Sequence, residues 1–354
     1  MTDSDLVFSV TAPCRSARHR TAALVACVLL VTGAAACSAG GDGGGDGDAR
    51  ASDTTAEAPA PAPPFLTGRR DVTFVDPSRP TPEVPGRFPA LPDRTLPTRI
   101  MYPAAGEPGP EPALVDADGA SLVDAPPLEG SYPLVVLAHG FNGRAEYLQG
   151  LADRISRRGY VVVVPTFPLS RAEVGFSPDV ASQPGDVSFL IDQMSDLAEG
   201  DPLAGHVDVE HVAVGGHSLG AATTLGVAYN SCCVDERIDA TIPISGGPLG
   251  YEGGDYEDMP PTPMLLAHGE ADGTVPIAAS DAVFEMASPP VWYLRTTTAD
   301  HASVLLDVHG ELLVDAIDAF LDAQLKGEPE ALDAMGAEVE ASGLGEWRTK
   351  LEGG

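Results

Sequence analysis

Short aliphatic runs that alternate with helical patterns constrain the fold of this chain most strongly. Residues 134–137 and 161–164 are apolar at every position, which is typical of parallel strands covered by helices on both faces. The same reasoning predicts strands at seven segments, namely residues 99–102, 134–138, 161–165, 211–214, 240–244, 264–268 and 291–294.

Amphipathic helices are predicted between these strands. One apolar stripe recurs at helical spacing through Val187, Leu190, Ile191, Met194 and Leu197. A second stripe runs through residues 312–321. Strands and helices in alternation predict an α/β fold with a mostly parallel central sheet and helices on both faces. In such sheets the chemistry lies at the carboxyl ends of the strands.

The charge balance excludes several functional classes. Lys and Arg number 20 against 52 Asp and Glu, a net charge of −32, which repels nucleic acids and anionic lipid headgroups. The two lysines, Lys326 and Lys350, lie outside any Gly-rich phosphate loop, so a P-loop enzyme is excluded. No apolar run reaches the roughly 20 residues of a membrane span. No H-E-x-x-H motif is present, and we expect neither a metal nor a cofactor.

The N-terminus has the pattern of an export signal. A basic segment precedes the apolar residues 21–36, which end in small residues followed by Cys37. We therefore expect residues 1–36 to be a signal peptide and Cys37 to carry a lipid, since this cysteine resembles that of a bacterial lipobox. Residues 37–64 are rich in Gly, Asp, Ala and Pro, which predicts a flexible tether. The protein would sit on the outer face of the cell membrane, or be secreted if Cys37 is not lipidated.

One catalytic domain is predicted over residues 65–326, and residues 327–354 are predicted to be an acidic C-terminal tail that contains a helix. We expect a monomer. Cys232 and Cys233 are adjacent, and in an oxidising compartment they are either bridged or left as two thiols. The sequence favours neither state.

A G-x-S-x-G motif follows the predicted strand at residues 211–214. Gly216, Ser218 and Gly220 occupy its fixed positions, and a run of small residues that predicts a helix comes next. The passage from strand through tight turn to helix is the structural context that a nucleophile elbow requires. Ser218 is therefore the candidate nucleophile.

A nucleophilic serine needs a basic histidine and an acid that orients it, in the chain order Ser, acid, His for this architecture. His301 follows a predicted strand and is the preferred base over His309, which begins a helix. Asp272, in a loop after a strand, is the preferred acid over Glu270 and Asp300.

Backbone N–H groups are expected to stabilise the oxyanion. One belongs to Leu219, directly after the nucleophile, and the other to Phe141, in the loop after the strand at residues 134–138. Phe141, Tyr251 and Tyr256 are the candidate apolar walls of a substrate cleft.

These motifs resemble those of a known family. The segments 133–140, 216–220, 268–276 and 300–301 are similar to motifs of the serine branch of the α/β-hydrolase superfamily. The resemblance is greatest to secreted dienelactone-hydrolase-like and platelet-activating-factor-acetylhydrolase-like proteins and their polyester-hydrolase relatives, over residues 70–325. It implies the α/β-hydrolase fold and the site roles given above. Dienelactone hydrolases proper have a cysteine where Ser218 stands, which favours ordinary carboxylic esters as substrates.

The expected function is that of an exported serine esterase. Only about twenty residues separate the strands at 240–244 and 264–268, which leaves no room for a large cap domain and predicts an open cleft. The substrate would be an acyl lipid, a short ester or a polyester. Two alternatives are a serine peptidase of the same fold and a non-catalytic lipoprotein that keeps the fold.

Overall fold

One sheet of ten strands organises the part of the chain that the computed structural model describes, residues 62–111, 114 and 121–351. The strand order across the sheet is β10-β9-β8-β7-β6-β4-β5-β2-β1-β3. The strands are β1 (Leu66–Asp76), β2 (Arg94–Ala104), β3 (Leu122–Val123), β4 (Tyr132–Ala138), β5 (Val161–Pro165), β6 (Val207–His217), β7 (Ile238–Ile244), β8 (Met264–Gly269), β9 (Val291–Thr296) and β10 (Gly345–Lys350).

Helices cover both faces of this sheet. They are α1 (Gln149–Arg157), α2 (Gln183–Ser195), α3 (Leu219–Tyr229), α4 (Ala278–Met286), α5 (Asp307–Leu325) and α6 (Glu330–Ser342). Helices α1, α5 and α6 pack on one face, and α2, α3 and α4 pack on the other. Strand β4 shows why both faces are apolar, because Val135 and Leu137 point into the first core while Leu134 and Val136 point into the second.

The six central strands, from β5 through β4, β6, β7 and β8 to β9, are mutually parallel. Their carboxyl ends therefore share one edge of the sheet. Antiparallel strands flank this block, with β2 against β5 on one side and β10 against β9 on the other. The mostly parallel sheet with helices on both faces confirms the predicted fold class. All seven predicted strands are present, within β2 and β4 to β9.

The C-terminal segment corrects a prediction. Residues 327–354 were expected to form an acidic tail with one helix, whereas α6 is followed by the strand β10, which extends the sheet beside β9. Trp347 packs against the core from this strand, together with Leu332 and Val339 of α6. The Nζ of Lys350 donates to three backbone carbonyls at the end of α4. Domain packing thus continues to residue 350.

The structure also describes the segment between β7 and β8 and the adjacent cysteines, whose state the sequence left open. Residues 245–263 contain no helix or strand. Cys232 and Cys233 form a disulfide. The signal peptide, Cys37 and nearly all of the predicted tether lie outside the described residues. Within the described residues, no helix is long and apolar enough to cross a membrane.

Asp318 on α5 is a carboxylic acid whose ionised form is destabilised by burial. Burial raises its pKa to about 8, and the nearby Asp322 adds to the effect although Arg158 opposes it. The Nε of Arg158 lies 3.5 Å from its Oδ2. Within the described part of the chain, its Oδ1 has no hydrogen-bond partner. Because the pKa is higher in the folded state than in the unfolded state, ionisation of Asp318 opposes folding as the pH rises from about 4 to about 8.

We expect Asp318→Asn to stabilise the protein by about 1–3 kcal/mol at pH 8.5 and by much less at pH 4.5, since the amide never ionises. Urea unfolding at these two pH values measures the difference. Glu338→Gln, at an exposed position of α6, is the control because it removes the same formal charge. A stabilisation by Asp318→Asn that does not grow with pH contradicts the assignment.

Candidate active site

Ser218 lies between the end of β6 and the start of α3, at the carboxyl edge of the parallel strands. Its backbone has φ 59° and ψ −119°, a conformation that non-glycine residues seldom adopt and that is expected of a nucleophile elbow. Its N–H donates to the carbonyl of Ile244 at 2.9 Å. The strained turn is thereby fixed to the adjacent strand β7.

The two glycines of the motif are required by close backbone contacts. A Cβ at Gly220 would lie 2.0 Å from the carbonyl oxygen of Ala138, and one at Gly216 would lie 2.4 Å from that of Gly220. A Cβ atom does not lie this close to an oxygen that it is not bonded to. The close packing of β6, α3 and β4 around the turn therefore requires glycine at both positions.

A chain of hydrogen bonds joins the three predicted residues. The Nε2 of His301 lies 2.8 Å from the Oγ of Ser218, and its Nδ1 lies 2.6 Å from the Oδ2 of Asp272. The other carboxylate oxygen of Asp272 accepts the N–H groups of Thr274 and Val275, both at 2.8 Å. The carboxylate is thus held on both oxygens, and the imidazole is oriented with Nε2 facing the hydroxyl.

The competing residues make other contacts. The Nε2 of His309 lies 2.9 Å from the carbonyl of Thr297. Asp300 accepts hydrogen bonds from the backbone of the short helix that follows it, and these bonds lower its pKa. Glu270 pairs with Arg295 at 3.4 Å. None of the three competitors completes the chain of hydrogen bonds from the serine.

The loop after β4 passes directly against the nucleophile. A Cβ at Gly140 would lie 3.1 Å from the Cβ of Ser218 and 3.6 Å from its Oγ. Phe141 is the next residue, and Leu219 begins α3. Within the described residues, neither the N–H of Phe141 nor that of Leu219 donates a hydrogen bond. Both donors are free to serve an oxyanion.

Two further histidines flank the site as neutral groups. Burial lowers the pKa of His139 and that of His217 to about 4. The Nε2 of His139 accepts from the N–H of Phe167, which fixes its Nδ1–H on the carbonyl of Gly140. The ring of His217 lies 4.7 Å from that of His301, and its Nε2–H donates to the backbone carbonyl of His301. These contacts position the loop after β4 and the loop that carries His301.

The sequence is similar to those of several known proteins. The chain matches the chlorophyllase family over residues 111–250. It is 25% identical over 219 residues to the uncharacterized protein YfhR of Escherichia coli (strain K12). The match covers 56% of this chain and 74% of YfhR. YfhR of Escherichia coli O157:H7 is 24% identical over 212 residues, covering 55% and 72% of the two chains.

A solved structure shares the fold. The ferulic acid esterase from Streptomyces cinnamoneus superposes with a TM-score of 0.58 at 21% identity, over 78% of this chain and 94% of that chain. The chain has the α/β-hydrolase fold. At the carboxyl edge of the parallel strands, the loops after β4, β5, β7, β8 and β9 lie beside the turn that carries Ser218.

Two predicted cleft walls are corrected. Tyr251 is buried, its ring fills the space beside Gly226 of α3, and its hydroxyl donates to the carbonyl of Ala222. Tyr256 packs against the core on the same face of the sheet. The side chain of Tyr251 thus packs against α3, the helix that begins directly after Ser218. Phe141, which is half-buried, remains the candidate wall.

A buried ion-pair network beneath the oxyanion loop had no clear signal in the sequence. Arg94 donates to both carboxylate oxygens of Asp186 at 2.6 Å and to Asp179 at 3.0 Å. Asp179 also accepts the N–H of Ser170, whose carbonyl accepts the N–H of Asn142. Asn142 directly follows Phe141, so the network supports the loop that carries Phe141.

No group of three or more His, Cys, Asp or Glu side chains within the described residues is arranged to hold a metal ion.

Proposed function

We propose that the protein is a serine hydrolase of carboxylic esters, with Ser218 as nucleophile, His301 as base and Asp272 as orienting acid. The continuous hydrogen-bond path from the serine hydroxyl to the buried carboxylate is the observation that carries this proposal. A strained serine with a base in reach and an acid behind the base is the arrangement that activates a hydroxyl as a nucleophile.

The reaction would proceed through an acyl-enzyme. The Oγ of Ser218 attacks the ester carbonyl carbon while the Nε2 of His301 takes its proton. The N–H groups of Phe141 and Leu219 stabilise the negative oxygen that forms. The alcohol leaves with the proton from His301. Water, activated by the same imidazole, then releases the acid and restores the serine.

Two features support an ester as the substrate. Residues 245–263 carry no helix or strand that could form a lid, so extended or polymeric esters could reach the site. The superposed structure is named as an esterase, although it shares only the fold with this chain. The substrate class within the esters, namely acyl lipid, short ester or polyester, is left to experiment.

Export and lipidation belong to the proposal as well. Their support is the basic and apolar pattern of the N-terminus and the small residues before Cys37. A lipid on Cys37 followed by a Gly-, Asp- and Pro-rich segment would hold the hydrolase away from the membrane surface.

Hydrolysis of p-nitrophenyl esters from C2 to C12 by the full-length chain tests the activity, with Ser218→Ala as the blank. We expect turnover that depends on Ser218. The acyl chain length with the highest turnover then distinguishes a preference for short esters from a preference for lipid esters. A peptide arylamide is measured in parallel. Turnover of the arylamide without turnover of any ester contradicts the proposal and favours the peptidase. No turnover of either by a folded protein favours a non-catalytic role.

A further inference from the structure

A buried imidazole lies directly behind the proposed acid. His268, near the end of β8, has no exposed surface, and the mechanism above does not use it. A substrate cannot contact His268, because the side chain has no exposed surface and both ring nitrogens contact interior groups. Its contacts, however, lead to the same carboxylate that holds the proposed base.

The Oδ2 of Asp272 is shared by two imidazoles. It lies 2.6 Å from the Nδ1 of His301 and 3.2 Å from the Nε2 of His268. The Nε2 of His268 also lies 3.0 Å from the carbonyl of Val275. Since both neighbours of this nitrogen are acceptors, Nε2 carries the proton; it donates to the carbonyl of Val275, and the same N–H lies beside the Oδ2 of Asp272.

The other ring nitrogen is tied to the nucleophile side of the site. The Nδ1 of His268 lies 2.7 Å from the Oγ of Ser280 on α4, and that Oγ lies 2.9 Å from the carbonyl of Gly246. A Cβ at Gly246 would lie 2.7 Å from the carbonyl oxygen of Ser218. His268 is therefore held in one orientation by groups that belong to the elbow region as well as to the acid loop.

We propose that His268 is a positioning residue whose Nε2–H, 3.2 Å from the Oδ2 of Asp272, weakens the hydrogen bond between Asp272 and His301. A carboxylate oxygen whose negative charge is partly offset by a nearby N–H dipole attracts the proton of a second group less strongly. The positively charged form of His301 is then less stabilised, so His301 remains an effective base at lower pH. This inference rests on the proposed function.

The other charged or titratable groups near this pair are few. His217 stacks on His301 and is neutral because burial lowers its pKa to about 4. Asp300 precedes His301 in the chain and is exposed. Burial lowers the pKa of His268 as well, although Asp272 opposes this. His217 and Asp300 are unchanged by substitution at His268, so a shift in the pH profile can be assigned to the lost N–H of His268.

The test compares His268→Leu, which removes the donor, with His268→Gln, which keeps an N–H near the position of Nε2. Two rates are measured against pH with the full-length chain: kcat/KM for a p-nitrophenyl ester, and the rate at which a fluorophosphonate labels Ser218. We expect the acidic limb of both profiles to move to higher pH by about half a unit or more in His268→Leu. We expect the limb of His268→Gln to stay close to that of the unaltered protein.

If the acidic limb does not move in a folded His268→Leu variant, the proposal is overturned and His268 is a structural residue. This holds even if the melting temperature of the variant has changed. If that variant does not fold, Ser280→Ala replaces it, because losing the hydroxyl loosens the orientation of His268, and we expect a smaller shift in the same direction. An unmoved limb in Ser280→Ala then overturns the proposal. If the unaltered protein shows neither ester turnover nor labelling, the proposed function itself fails, and this inference fails with it.

Discussion

Replacement of Ser218 by alanine is expected to reduce kcat for any accepted ester by about 10⁴- to 10⁶-fold while the protein remains folded. The serine is partly exposed and its Oγ bonds only to His301 within the described residues, so its loss removes the nucleophile without opening a cavity. Steady-state kinetics and a thermal melt on the same preparation measure both quantities.

Asp272→Asn extends this prediction to the acid. The amide keeps the shape of the side chain but favours the wrong tautomer of His301, and kcat should fall by about 10⁴-fold. Asp300→Asn is the matched control, since Asp300 directly precedes His301 yet contacts only backbone groups and Ser303. Comparable losses in the two variants would contradict the assignment of the acid.

Replacement of Arg94 by methionine is expected to destabilise the fold by about 3–5 kcal/mol. Arg94 is 1% exposed, and its bidentate partner Asp186 is fully buried. Methionine has a similar length but no charge, so Asp186 and Asp179 would be left as buried carboxylates without their main cation. The loss is large compared with the total stability of about 5–15 kcal/mol typical of a folded protein. Urea unfolding at pH 7 measures it.

Arg237→Met is the matched control for Arg94. Arg237 also pairs with two carboxylates, those of Asp192 and Asp235, but its side chain is 40% exposed. Exposed pairs contribute about 0–1 kcal/mol, so this variant should lose little stability. If both variants lose the same free energy of unfolding, burial does not determine how much the Arg94 network contributes to stability. Because that network supports the loop of Phe141, we also expect folded Arg94→Met protein to lose kcat.

The central part of the fold was predictable because its strands are buried on both faces. Val161–Pro165 is entirely buried, and a short run of β-branched apolar residues is typical of a strand covered on both faces. The strands that escaped prediction lie near the edges. β1 and β10 contain several charged residues, and β10 is recognisable only because β9 offers it a partner. Pairing with a distant strand leaves no local pattern in the sequence.

The residues of the site likewise fall into those that the sequence predicts and those that it does not. The elbow, the base and the acid each follow a strand in a fixed chain order, so spacing and position were sufficient to nominate Ser218, Asp272 and His301. The positions of Tyr251 and His268 depend on which side of a loop faces the core. That choice is made by packing against α3 and α4, and no periodicity in the sequence records it.

The most direct test of the central claim is covalent labelling of the full-length chain by a fluorophosphonate, followed by mass spectrometry. The Oγ of Ser218 would form a bond to phosphorus as fluoride leaves, and His301 would take the serine proton. We predict one label per chain, on the peptide that contains Ser218, and loss of labelling in His301→Ala. No label on a folded protein, or a label on another residue, would contradict the assignment of Ser218 as the nucleophile.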